Sequence, residues 1–196
     1  MIRCGCCARC NLLRASTCVW RRRRRSYAAR YCRGPPVCHR IVSGANGRNG
    51  RSLSAGLRVL DESGWLALYP ELAALQGCPQ HPRYHPEGDV WTHTLHVCDA
   101  AARIAERDAL DGRERLALII AALCHDLGKP PTTVIADDGI PRSLGHAEAG
   151  VPLTQAFLMR IGAPHWIERW VTPLVREHLA HLNVQPTPRV VRRLAH

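Results

Sequence analysis

The chain has 196 residues, 46% of them apolar, enough for one domain with a substantial core. Its net charge of +11 is uneven: residues 1–58 hold 14 Arg and no acid, so residues 59–196 carry the other 13 basic residues against all 16 acids. The chain thus joins a very basic segment to a slightly acidic domain, so its overall basicity says little about that domain's partners, and with no apolar run near about 18–20 residues no helical membrane span is expected.

Residues 1–58 show no apolar periodicity. They contain Arg21 to Arg25 in a row, Gly34-Pro35-Pro36, and a Gly/Asn/Ser-rich stretch at 43–56. This composition predicts a disordered basic segment. The Arg run can bind nucleic-acid phosphates. Cys4, Cys6, Cys7 and Cys10, with His39, can form a zinc site, although the four are too crowded for paired knuckles. An Arg-rich, acid-free stretch also fits an organellar transit peptide, whereas no apolar region suits a secretory signal. Translation of GC-rich DNA upstream of a true start, or out of frame, gives the same composition and outweighs each of the other readings.

Residues 59–196 read as an all-α domain. A short helix is predicted over about 65–76, interrupted or restarted at Pro70, then a loop with Pro79, Pro82 and Pro86. Asp89 can N-cap the next helix, in which Val90, Thr94, Val97, Ala101, Ile104 and Ala105 recur at helical spacing. Asp111-Gly112 breaks the chain, and a more apolar helix runs from about Glu114 to Asp126. Gly128 is expected as its C-terminal cap, with Pro130-Pro131 preventing continuation. Residues 130–144 read as a loop turning at Asp137-Asp138-Gly139. Helices follow at about 146–161 and 165–182, and Thr187-Pro188 opens a last one. Cys78, Cys98 and Cys124 lie in mostly apolar surroundings and read as small buried hydrophobes. Without a disulfide framework, a reducing compartment and cytoplasmic localisation are expected.

Four histidines and an aspartate stand at predicted helix ends: His93, His125-Asp126, His146 and His178. Imidazoles plus one carboxylate on a helical scaffold suit a divalent ion such as Zn, Mn, Fe, Ni or Co. Taken singly, each has a plainer reading. His93 can be a half-buried histidine bonded to backbone, and His146 a surface residue. His125-Asp126 can be a surface pair at a helix end. An Asp at a helix C-terminus is locally unfavourable, however, and a metal would compensate it. Lys129, the only Lys in the chain, can contact a substrate phosphate or simply pair with the helix end. His81, His85, His96 and His165 have no comparable context and read as structural or solvent-facing.

The order His93…His125-Asp126…His146…His178 resembles the HD superfamily of metal-dependent phosphohydrolases. A closer resemblance is to the HD domain of bacterial CCA-adding tRNA nucleotidyltransferases. It rests on Tyr69-Pro-Glu-Leu, Gly77-Cys-Pro-Gln-His-Pro-Arg-Tyr-His-Pro-Glu-Gly-Asp-Val-Trp-Thr-His-Thr-Leu, Leu123-Cys-His-Asp-Leu-Gly-Lys-Pro, Gly145-His-Ala-Glu-Ala-Gly and Val191-Arg-Arg-Leu-Ala. It covers about residues 59–196. The resemblance implies a helical HD bundle and a divalent metal (Mn, Ni, Co, Fe, Zn or Mg) on His93, His125, Asp126, His146 and His178. It also implies phosphatase or phosphodiesterase activity, including on 2′,3′-cyclic phosphates. Two departures stand out. Residues 1–58 cannot supply the acidic nucleotidyltransferase domain that precedes the HD domain in that family, so the chain is not expected to add CCA by itself. No Asp follows Asp138, so the late aspartate ligand usual in HD proteins is missing and the domain reads as truncated.

The leading expectation is thus a metal-dependent phosphohydrolase acting on a nucleotide or an RNA 3′-end phosphate, with Asp126 and Lys129 as catalytic residues. One alternative is a non-catalytic module that holds tRNA or pairs with a separate nucleotidyltransferase domain. Another is a genomic fragment with no stable function.

Overall fold

A computed structural model describes residues 53–180. The Arg21–Arg25 run, the cysteines from Cys4 to Cys10, His39, His181, His196 and the helix expected from Thr187 lie outside the described residues.

Leu53, Leu57 and Leu60 repeat at helical spacing, and they form the buried stripe of α1 (Leu53–Glu62). The division expected between residues 58 and 59 falls inside this helix. The stripe acquires meaning only against a neighbour, α3 (Val90–Arg107). Asp99 of α3 caps the start of α1, accepting from Ser54 N at 2.9 Å and Ser54 Oγ at 2.7 Å. Between them, a 3-10 turn at Trp65–Leu68 leads into the single turn α2 (Pro70–Ala73), which restarts at Pro70 as expected. Proline suits that position because its missing N–H is not needed in a first helical turn.

Asp89 caps α3 by accepting from Thr92 N at 2.9 Å, and its other oxygen accepts from Gly77 N at 2.8 Å. The next helix, α4 (Gly112–Cys124), starts two residues before the predicted Glu114. Asp111-Gly112 is its entrance: Asp111 accepts from Arg113 N and Glu114 N, and Glu114 accepts from Asp111 N, forming a reciprocal capping box. Most of α4 from Ala117 onward is buried, because it packs against both α3 and α7 (His165–Arg176). Ile167, Val171 and Val175 form the inward stripe of α7. That helix ends at Arg176, short of the predicted 182, and a turn carries the chain to His178. Fully buried side chains such as Leu57, Leu95, Ile119, Leu127 and Val171 fill the centre. Cys78, Cys98 and Cys124 are buried and free, and burial pushes their thiols up.

Residues 130–144 are more ordered than the predicted loop. Lys129–Thr132 form a one-turn helix, α5, which tolerates Pro130 and Pro131 because its first turn needs no N–H partners. A two-stranded antiparallel hairpin follows, β1 (Thr133–Ile135) and β2 (Pro141–Ser143), with Val134 opposite Arg142. The turn uses Gly139 at φ 75°, where glycine carries no steric penalty. The hairpin leads into α6 (His146–Arg160), which packs on α7. The domain is all-α apart from this hairpin. Three-residue strands give too little alternation to be read in sequence.

Gly128 is not the C-terminal cap expected: α4 ends at Cys124, and Gly128 instead precedes α5. Its φ is −81°, an ordinary helical value. Its requirement is space: a β-carbon there would lie 2.0 Å from His146 O and 2.5 Å from Gly150 N. Gly128 thus lets the end of α4 touch the first turn of α6. No helix among the described residues is long and apolar enough to cross a membrane.

Candidate metal centre

Helix ends deliver the chemistry. His93 sits in the first turn of α3, His125 and Asp126 directly follow α4, and His146 is the first residue of α6. His178 follows α7. Lys129 opens α5. The structure brings all six together around the carboxylate of Asp126, whose side chain is 2% exposed.

His125 Nε2 is 3.0 Å and His93 Nε2 3.8 Å from Asp126 Oδ2. His146 Nε2 is 3.5 Å and His178 Nε2 3.8 Å from Oδ1. Each oxygen thus faces two imidazoles, and His146 Nε2 and His178 Nε2 are 3.1 Å apart.

The far side of every ring is committed. Nδ1 of His125 is 2.8 Å from Ala122 O, Nδ1 of His146 is 2.7 Å from Ser143 O, and Nδ1 of His178 is 2.6 Å from Val175 O. His93 Nδ1 is 2.5 Å from Glu87 Oε1. Such acceptors require Nδ1 to donate, and a neutral imidazole then carries its lone pair on Nε2. Four lone pairs therefore converge on a carboxylate. Burial pushes His93 and His178 below their usual pKa, which favours the neutral ring.

Burial alone would push the Asp126 carboxyl up. The ammonium of Lys129 beside it opposes this and holds Asp126 well below the usual carboxylate range, so it is ionised. Lys129 Nζ is 2.7 Å from Oδ2, yet Oδ2 has no well-directed hydrogen bond although it is buried. Lone pairs aimed at a buried, under-bonded carboxylate repel one another unless a cation lies among them. The donor set fits a divalent transition ion. Three sets of ligand atoms lie within 4.8 Å of one another: His85 and Glu87 in the loop before α3 with His93, and two that centre on Asp126, namely His93, His125 and Asp126, and Asp126, His146 and His178. Either of the sets on Asp126, or both sharing the carboxylate, can hold an ion.

The site opens on a cleft of about 1000 Å³. Gln80, Tyr84 and His85 line it, together with apolar residues such as Val97, Ala121 and Leu174. Lys129 was expected just past the helix, contacting a substrate phosphate or pairing with the helix end. Instead it is buried, and its ammonium donates to Gln80 Oε1 at 2.6 Å while approaching Asp126.

Glu87, Gln80 and His85 were missed in the sequence. Glu87 Oε1 also lies 3.2 Å from His85 Nδ1, so one carboxylate oxygen serves two imidazoles. Burial raises the Glu87 carboxyl, but its own backbone N–H and the rings of His93 and His85 outweigh this and hold it at about 2. The loop between Gly77 and Asp89 carries no periodicity, so only its position six residues before His93 could have singled Glu87 out.

Residues 90–195 match the HD domain family. Curated relatives named multifunctional CCA protein align over much of the same region. The protein of Xanthomonas campestris pv. campestris strain B100 is 40% identical over 144 residues, 73% of this chain and 32% of its own length. That of Pasteurella multocida strain Pm70 is 39% identical over 127 residues, 64% of this chain and 29% of its own. That of Cupriavidus metallidurans is 40% identical over 121 residues, 61% and 27%. The chain spans about a third of the length of the curated relatives it matches. No solved structure matches significantly. The family match over more than half the chain and the convergence of its histidines on Asp126 lead to one conclusion: this chain belongs to the HD domain family.

Proposed function

We propose that the domain is a metal-dependent phosphohydrolase, a phosphatase or phosphodiesterase, acting on nucleotide or RNA 3′-end phosphates. The convergence of four Nε2 atoms on the ionised, buried Asp126 carries this reading. His93, His125, Asp126, His146 and His178 would hold the ion. A bound divalent ion supplies charge to a phosphoryl oxygen and acidifies water. Asp126 keeps its charge at neutral pH and orients the donors around it. Lys129, fixed between Asp126 and Gln80, presents its remaining N–H to the cleft, where a phosphate oxygen can accept it. The apolar lining offers a surface for a base or ribose. The names of the relatives favour a substrate connected with tRNA ends, and a cytoplasmic setting goes with that.

A second reading is a non-catalytic module that binds tRNA or pairs with a separate nucleotidyltransferase domain. The relatives' name, multifunctional CCA protein, supports it. The test uses the full chain: metal by elemental analysis, then hydrolysis of p-nitrophenyl phosphate, bis-p-nitrophenyl phosphate and nucleoside 2′,3′-cyclic phosphates. Metal-dependent turnover lost in both His125→Ala and Asp126→Ala is expected. Turnover unchanged in those variants overturns the enzyme reading. Salt-sensitive tRNA binding without turnover, surviving loss of His125, favours the module.

A further inference from the structure

Three of the four inward-facing imidazoles are held by backbone carbonyls, those of Ala122, Ser143 and Val175. His93 is held by a side-chain carboxylate, Glu87. The difference is physical. A carbonyl is a neutral acceptor tied to its helix. An ionised carboxylate is a stronger acceptor of an N–H and pushes electron density through the ring onto the opposite nitrogen. Glu87 lies in the loop before α3, is only 18% exposed, and sets Oε1 2.5 Å from His93 Nδ1.

We infer that Glu87 is a positioning residue for the metal centre: it locks His93 in the Nδ1–H tautomer and makes His93 Nε2 the most basic of the four imidazole donors. The inference rests on the metal-centre reading. It also gives the loop from Gly77 to Asp89 a task. Asp89 pins that loop at Gly77 N, and Gln80 Nε2 donates to Gly88 O at 3.3 Å, so the loop that holds Lys129 also holds His93. His85 donates to the same Glu87 oxygen, and its ring meets that of His93 edge-on, with centroids 4.5 Å apart. It packs beside His93.

The test is Co²⁺ binding by the full-length protein, by chelator competition and by visible absorption, with Glu87→Ala, Glu87→Gln and His85→Ala. Glu87→Ala is expected to weaken Co²⁺ binding by about 10- to 100-fold and shift the Co²⁺ absorption bands. Glu87→Gln, whose amide oxygen still accepts from Nδ1–H, is expected to recover part of that loss. His85→Ala should leave the affinity unchanged. In the metal-free protein, ¹⁵N NMR of the His93 ring should show the Nδ1–H tautomer in the wild type and a mixture in Glu87→Ala. A wild type that takes up no Co²⁺ removes the metal-centre reading and this inference together. Wild-type uptake with equal uptake by a folded Glu87→Ala removes this inference alone. An equal loss in His85→Ala and Glu87→Ala also overturns it, because the two would then be ligands themselves.

Discussion

Gln80 and Lys129, 49 residues apart in the chain, meet in the interior with Lys129 Nζ donating to Gln80 Oε1 at 2.6 Å. The same ammonium is 2.7 Å from Asp126 Oδ2. The loop before α3 and the turn after α4 are thereby tied to one cation. Lys129 is also the residue best placed to balance Asp126 when no ion does. Lys129→Met should therefore destabilise the metal-free protein by about 3 kcal/mol, since it strands a buried carboxylate. Metal loading should recover much of that loss. Thermal unfolding with and without Co²⁺ measures the difference, and an equal loss in both states would refute this account.

Asp126→Asn keeps the shape of the side chain but removes the charge on which four imidazoles converge. Metal content in the purified variant is expected to fall to less than about a tenth of wild type. Elemental analysis beside circular dichroism separates a lost site from a lost fold. Wild-type metal content in Asp126→Asn would show that the ion is held elsewhere.

Gly128→Ala would place a β-carbon 2.0 Å from His146 O, so α6 must move away from the end of α4. The substitution should cost about 3 kcal/mol and displace His146 from Asp126. Gly56→Ala, where an added β-carbon meets nothing within 4 Å, serves as the control. Equal denaturation midpoints for the two variants would contradict the close approach.

Acid should act on the site in two stages. His93 and His178 have folded pKa values lowered from 6.5 by burial, so unfolded chains bind protons that the folded protein refuses. Stability of the metal-free protein therefore falls as pH drops below about 6.5. Glu87 is lowered from 4.5 to about 2, so its contribution is present above 4.5 and is lost as pH falls towards 2. Urea unfolding from pH 8 to 3 should show both losses, and Glu87→Gln should flatten the second. A profile for Glu87→Gln that parallels wild type below 4.5 would argue against that role.

Arg160 reaches back to Glu71, with Nη2 2.9 Å from Oε1 and Nε 3.2 Å from both oxygens. The Glu71 side chain is 6% exposed and that of Arg160 43%, so one partner is buried and the other half in solvent. Arg160→Ala should lower stability, by less than the loss of a fully buried pair because water screens the guanidinium side. Denaturant midpoints check this, and an unchanged midpoint would place the pair among surface ion pairs of little consequence.

The apolar spacing from Val90 to Ala105, the caps at Asp89 and Asp111 and the breaks near Pro79 and Pro130 are local properties. Sequence alone therefore places α3, α4, α6 and α7 to within a few residues at most boundaries. His93, His125-Asp126 and His146 stand out for a related reason: each sits where a local signal ends or starts a helix, whereas His178 lies past the real end of a helix that sequence extended to 182. What sequence could not give is anything that depends on a neighbour distant in the chain. Leu53 and Leu57 belong to the domain because α3 offers them a surface. Gly128 is glycine because His146 and Gly150 press against it, not because its own backbone turns left. Gln80, His85 and Glu87 lie in an aperiodic loop, and only tertiary packing brings them to Lys129 and His93. Local spacing fixes which backbone groups pair along a helix. The convergence of Nε2 atoms on Asp126 is fixed by how helix ends meet, and that depends on side-chain contacts between segments tens of residues apart.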